Sequence, residues 1–182
     1  MITFKKLWDN HPTNTDHKDP CVTNGQKNFS NQCAIRVGVS LAECGIKTAS
    51  IPGAIHCWHG HDKSEGHGIR AEELANGLTK ISLPGLKPVI KVNPNEFSKK
   101  ISGKKGIIFF KDYWQRTISE KKESFRNRSG DHIDIWNGSR ITDLTSWARI
   151  NLRIGSFGIH SITDRFSDFE DSKEIWFWET HQ

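Results

Sequence analysis

At 182 residues the chain fits a single domain, residues 1–182, long enough to bury its own core without disulfide or metal staples. Lys and Arg outnumber Asp and Glu by 26 to 21, a net charge of +5 that is spread along the chain; this argues against a nucleic-acid binder, which carries a concentrated basic stripe, and favours anionic partners only mildly. No apolar span approaches the roughly 18 residues a membrane crossing needs, and M-I-T-F-K-K-L-W at the N-terminus lacks the apolar run of a signal peptide, so the expectation is a protein made in the cytoplasm whose export, if any, bypasses the ordinary signal.

Residues 9–31 carry Asp, Asn, Pro, Thr or Gly at nearly every other position and read as an irregular lead-in with turns at Asp19-Pro20 and Asn24-Gly25. From Asn31 or Gln32 to Glu43, apolar Ala34, Ile35, Val37, Val39, Leu41 and Ala42 predict a largely buried helix that stops at Cys44-Gly45. A Gly/His/Pro-rich loop over 51–70 leads into a short helix over 69–78. Prolines then break residues 80–97 into extended pieces, with a strand expected over 88–92 and a helical turn over 95–100. The apolar run 107–110 predicts a strand buried on both faces, central to a sheet. Segments 133–136 and 139–144 flank Asn137-Gly138, a strong hairpin signal. A helix over 147–154 and a closing strand over 175–178 complete an α+β order, helix first and strands after.

Two segments suit chemistry better than packing. Cys33 stands where a polar turn becomes an apolar helix. A helix N-terminus favours thiolate through its unpaired N–H groups and macrodipole, and backbone N–H groups near Gln32 and Cys33 are candidate oxyanion donors. The bland alternative is a buried or crosslinked cysteine. A bridge from Cys33 to Cys44 is excluded, because eleven residues of one helix separate them by roughly 16 Å. One disulfide among Cys21, Cys44 and Cys57 is allowed, and Cys44 with Cys57 is preferred because it would pin the helix end to the His-rich loop.

His132 opens the strand that enters the Asn137-Gly138 turn. In a two-residue hairpin His132 faces Asp143, and directly opposed side chains lie roughly 4.5–5.5 Å apart at Cβ, near enough for a carboxylate to orient an imidazole. Asp134 shares the His132 face by period-two alternation and is the competing orienter. Together, Cys33, His132 and Asp143 outline the nucleophile, base and orienter of a cysteine hydrolase.

His56, Cys57, His59, His61 and His67 crowd into twelve residues and would suit zinc or copper. Their spacing matches no established zinc signature, and Gly60, Gly66 and Gly68 suggest a pliable loop, so no metal or cofactor is expected. The competing function is a non-enzymatic wall- or metal-binding module built on this loop and the tryptophans. Trp58, Trp114 and Trp136 are candidate groove walls, although core tryptophans are commoner.

F-S-N-Q-C-A-I-R-V-G-V-S-L around Cys33 and G-D-H-I-D-I-W-N-G around His132, with Asp143 eleven residues further on, resemble the type VI secretion amidase effectors, family four. These are antibacterial toxins of papain-like, NlpC-type fold. Asp131, between Gly130 and His132, departs from a plainer Gly-His step. The resemblance implies a cysteine peptidase, with the nucleophile at a helix N-terminus packed on an antiparallel sheet. It would hydrolyse the D-glutamyl–diaminopimelate amide of peptidoglycan stem peptides in the periplasm of a target bacterium. Cys33 attacks, His132 moves the proton and Asp143 orients His132, without a cofactor. A secretion apparatus and a cognate immunity protein are the implied partners.

Overall fold

In the computed structural model, residues 1–142 and 169–181 are described. Four strands form the principal sheet: β3 (Ile90–Val92), β4 (Gly106–Trp114), β7 (Gly130–Trp136) and β8 (Glu174–Glu179), in the order β3-β8-β4-β7 with every pairing antiparallel. Two-stranded ribbons β1 (Val22–Thr23) with β2 (Gln26–Lys27) and β5 (Thr117–Ile118) with β6 (Lys121–Lys122) lie outside it. The first ribbon turns at Asn24-Gly25, where both residues have positive φ.

The run 107–110 is indeed central, with β8 on one side and β7 on the other. Period-two alternation divides its side chains between two cores. Ile107 and Phe109 join Ile133, Ile135, Trp176 and Trp178 under the helices, whereas Ile108 and Phe110 join Trp136, Phe169 and Phe177 on the other face. With both faces covered, the strand carries no polar stripe, which is why it reads as an unbroken apolar run.

The helices are α1 (Phe4–Asp9), α2 (Cys33–Glu43), α3 (Ala71–Thr79) and α4 (Phe97–Lys100). Helix α2 buries Ala34, Val37 and Leu41 against the sheet, and its other flank meets the His-rich loop backbone to backbone. A Cβ on Gly38 would sit 1.9 Å from the Gly66 carbonyl oxygen, and one on Gly66 would sit 2.1 Å from that of Gly38. The loop glycine that suggested pliability is therefore a close-packing residue. Helix α1, short and opened by the Thr3 side chain, was not anticipated; its Leu7 is wholly buried in the helix-side core.

One expected element takes another form. Residues 139–142 form no strand, and β7 pairs with β4 instead. Asn137 folds its own side chain over the turn, with Oδ1 accepting from the N–H groups of Ser139 and Arg140 at 3.0 and 2.9 Å. An Asn-Gly pair encodes a local reversal, but the partner of β7 is selected by matching Ile133 and Ile135 to Phe109 and Ile107 across the ladder. Asp143 and the expected helix over 147–154 lie outside the described residues.

Candidate active site

Among the described residues β7 is the last strand of the sheet, and no described strand pairs with the alternate N–H groups along its outer edge. The N-terminus of α2 comes to this edge. The Cys33 sulfur accepts a backbone hydrogen bond from Ile133 and a side-chain hydrogen bond from His132. Two residues along, the Ile135 N–H donates to Asp134 Oδ1 at 2.7 Å. This edge thus supplies a donor to the thiol and another to the carboxylate.

His132 and Asp134, two residues apart on one strand face, meet through His132 Nε2 and Asp134 Oδ2 at 3.2 Å. With Nε2 held by the carboxylate, Nδ1 is left for Cys33. Asp134 is itself tightly held. Its Oδ1 accepts the Thr142 hydroxyl at 2.6 Å and faces His11 Nε2 at 3.5 Å. His11 Nδ1 accepts the Thr13 N–H at 3.3 Å, which leaves the ring proton on the nitrogen that points at Asp134. Burial drives His11 down to about 4, more than the Asp134 charge raises it, so it stays neutral.

The electrostatics favour charge separation. Burial alone would raise the Cys33 thiol, but the hydrogen bond and charge of His132, aided by the Ile133 N–H, outweigh it and the thiol falls below its ordinary value. Burial would likewise depress His132, yet its bonds to Asp134 and Cys33 raise it to about 10. Asp134 falls to about 2 despite burial, through His132, the nearby His11 and Thr142. A thiolate beside an imidazolium, oriented by a carboxylate, is the resting state that this triad supports.

A cavity of about 110 Å³ opens over these groups, with Lys18 and Arg36 among its lining residues. Arg36 is anchored, with Nε donating to the Lys18 carbonyl at 2.6 Å and a terminal nitrogen donating to Asp19 Oδ1 at 3.0 Å. The Cys33 N–H donates to Asn31 Oδ1 at 3.1 Å, so a substrate carbonyl using that donor would displace the Asn31 amide. Gln32 is turned away. Its side chain grips the lead-in, accepting from the Cys21 N–H at 2.8 Å and donating to the Cys21 carbonyl at 3.0 Å.

Cys33 and His132 are therefore together, and the described residue that orients His132 is Asp134. His11 and Thr142 went unnoticed in the sequence, where a lone histidine in a polar lead-in and a threonine after a turn give no periodic signal. Asp131 has a structural use on the opposite side of the strand. Its Oδ1 accepts the N–H of Asp112 at 2.9 Å, where φ is +50° and the β4–β7 register shifts. Gly130 is required beside it, since a Cβ there would enter the Trp114 ring at 2.4 Å.

The cysteine pairing expected between Cys44 and Cys57 is not found, and all four cysteines are free. Cys44 sits in the helix-side core, while Cys57 clusters with Cys21 and Ile35 on the far flank of α2. Of the tryptophans weighed as groove walls, Trp136 is a core residue whose Nε1–H donates to the Ile101 carbonyl at 3.1 Å, and Trp58 is exposed.

A family model described as "Type VI secretion system (T6SS), amidase effector protein 4" matches residues 29–178. The fold is similar to the crystal structure of the type VI effector Tae4 from Enterobacter cloacae, with a TM-score of 0.60 and 17% identity over 100% of this chain and 98% of that one. No curated protein matches the chain.

Proposed function

The chain belongs to the type VI secretion system amidase effector protein 4 family, and on that premise we propose that it is a cysteine amidase of papain-like, NlpC-type architecture that cuts the D-glutamyl–diaminopimelate amide of peptidoglycan stem peptides. The observation that carries this reading is the Cys33–His132–Asp134 constellation at the outer edge of β7, under a cavity with cationic Lys18 and Arg36 in its wall. Stem peptides are rich in carboxylates, which these two cations suit.

The Cys33 thiolate attacks the amide carbonyl and forms a C–S bond while the carbonyl electrons move to oxygen. The imidazolium of His132 gives its proton to the leaving amine as the C–N bond breaks, leaving a thioester. His132, now neutral, takes a proton from water; the resulting hydroxide attacks the thioester, the acid departs and the thiolate–imidazolium pair returns. Asp134 keeps the His132 ring proton on Nε2 and stabilises the imidazolium. Asp143 remains a second candidate for this orienting role. Delivery to a rival's periplasm through the secretion apparatus, with a cognate immunity protein protecting the producer, follows from the same reading.

Digestion of purified sacculi with mass spectrometry of the released muropeptides tests it. Wild type releases fragments ending at D-glutamate, and Cys33→Ala releases none while keeping a native melting curve. A folded Cys33→Ala variant that still digests sacculi would leave a non-enzymatic or differently centred activity as the explanation.

A further inference from the structure

The His-rich loop does not stand alone. Cys21, far away in the lead-in, comes to it, and one ligand atom from each of Cys21, Cys57, His61 and His67 lies within 4.8 Å of every other. Tetrahedral zinc, with bonds of roughly 2.3 Å to sulfur and 2.0–2.1 Å to nitrogen, needs ligand separations of about 3.3–3.8 Å. Cys57 Sγ and His67 Nδ1 already meet this at 3.7 Å. The remaining pairs, none more than 4.8 Å apart, need to close by about 1.0–1.5 Å at most.

We propose that Cys21, Cys57, His61 and His67 form a structural zinc site that clamps the His-rich loop to the lead-in beside the Cys33 helix. An independent observation supports it: His61 Nε2 is buried without a hydrogen-bond partner, while its Nδ1 lies 3.3 Å from Glu65 Oε2. A carboxylate behind a ligating imidazole is the usual arrangement at a metal, because it fixes the tautomer and the ring. Glu65 Oε2 also stands 3.8 Å from His67 Nε2, and Glu65 is held by a capping box with Asp62. The Asn28 amide donates to Cys21 Sγ at 3.4 Å, a further support behind a ligand.

The other loop histidines are otherwise engaged. His56 meets the carbonyls of Cys57 and Asp62, and His59 packs edge-on against Phe29. Two thiolates neutralise the dication, and binding releases two thiol protons to solvent. With four protein ligands the site has no open position, so it would be structural. Its leverage reaches the catalytic helix, since the backbone of Cys21 is bonded to Gln32, the residue before Cys33. The Gly38–Gly66 contact holds the same loop against the same helix.

The test is elemental analysis of untagged, reduced full-length protein, followed by zinc titration of chelator-stripped protein against a chromogenic chelator and by cobalt substitution. One zinc per chain is expected, with the intense thiolate-to-cobalt absorption of a tetrahedral site. Cys57→Ser and His61→Ala should weaken zinc binding by roughly 100-fold or more, and His59→Ala should leave it within about twofold. Folded, reduced wild type that takes up no zinc overturns the proposal, as does uptake indifferent to Cys57→Ser and His61→Ala. A Cys21–Cys57 crosslink in unreduced protein, with no zinc uptake after reduction, overturns it in favour of a disulfide.

Discussion

Replacing Asp134 by Asn separates orientation from shape. Asn preserves an acceptor for the Ile135 N–H and the Thr142 hydroxyl, at 2.7 and 2.6 Å, but turns an NH₂ donor toward His132 Nε2. His132 must then accept there and carry its proton on Nδ1, the nitrogen that faces Cys33, so it can no longer act as the base. The variant also loses the attraction between carboxylate and imidazolium, about 4 kcal/mol for charges some 4 Å apart at an effective dielectric near 20. At 1.36 kcal/mol per decade this is about a 10³-fold loss in rate. Initial rates of muropeptide release measure it directly. Alkylation of Cys33 by iodoacetamide across pH gives a second readout. In wild type the lowered thiol stays reactive below the ordinary thiol range, whereas in Asp134→Asn, with burial no longer outweighed by a charged His132, reactivity should rise only at or above the ordinary value of about 8.5. An Asp134→Asn enzyme within tenfold of wild type would refute this reasoning, and a 10³-fold loss in Asp143→Asn instead would assign the orienting role to Asp143.

Gly38→Ala should destabilise the protein despite the roughly 1 kcal/mol that Ala gains over Gly in a helix. The new Cβ meets the Gly66 carbonyl at 1.9 Å with backbone on both sides, so overpacking of about 2 kcal/mol net lowers Tm by about 4–8 °C; a neutral or raised Tm contradicts the packing account. Asp131→Asn should stabilise the protein at neutral pH. Burial, against the Asp112 N–H, raises the Asp131 carboxyl to about 6 from 3.8, so its contribution is present below pH 3.8 and lost as pH rises through 6. Solvent screening of this incompletely buried group reduces that loss to about 1–2 kcal/mol. Denaturant midpoints measured on either side of this window should show the slope in wild type and its absence in the variant.

The sequence by itself determined the elements whose information is local or periodic. Helix α2 follows from its apolar spacing and its stop at Cys44-Gly45, and the central position of β4 follows from an uninterrupted apolar run. It also marked Cys33 and His132, because a cysteine at a polar-to-apolar boundary and a histidine in a strand beside a turn are both visible one residue at a time. Only the tertiary structure decided what these residues meet. The hairpin failed because turn propensity fixes a reversal and not a strand partner, while the ladder follows side-chain complementarity between distant strands. The same limit applies to the His-rich loop. Judged by its own spacing it is no metal site; once the fold carries Cys21 to it, a fourth ligand stands beside three from the loop. Chain folding brings together atoms that no spacing rule relates, and both the carboxylate network around Asp134 and this four-residue cluster depend on that.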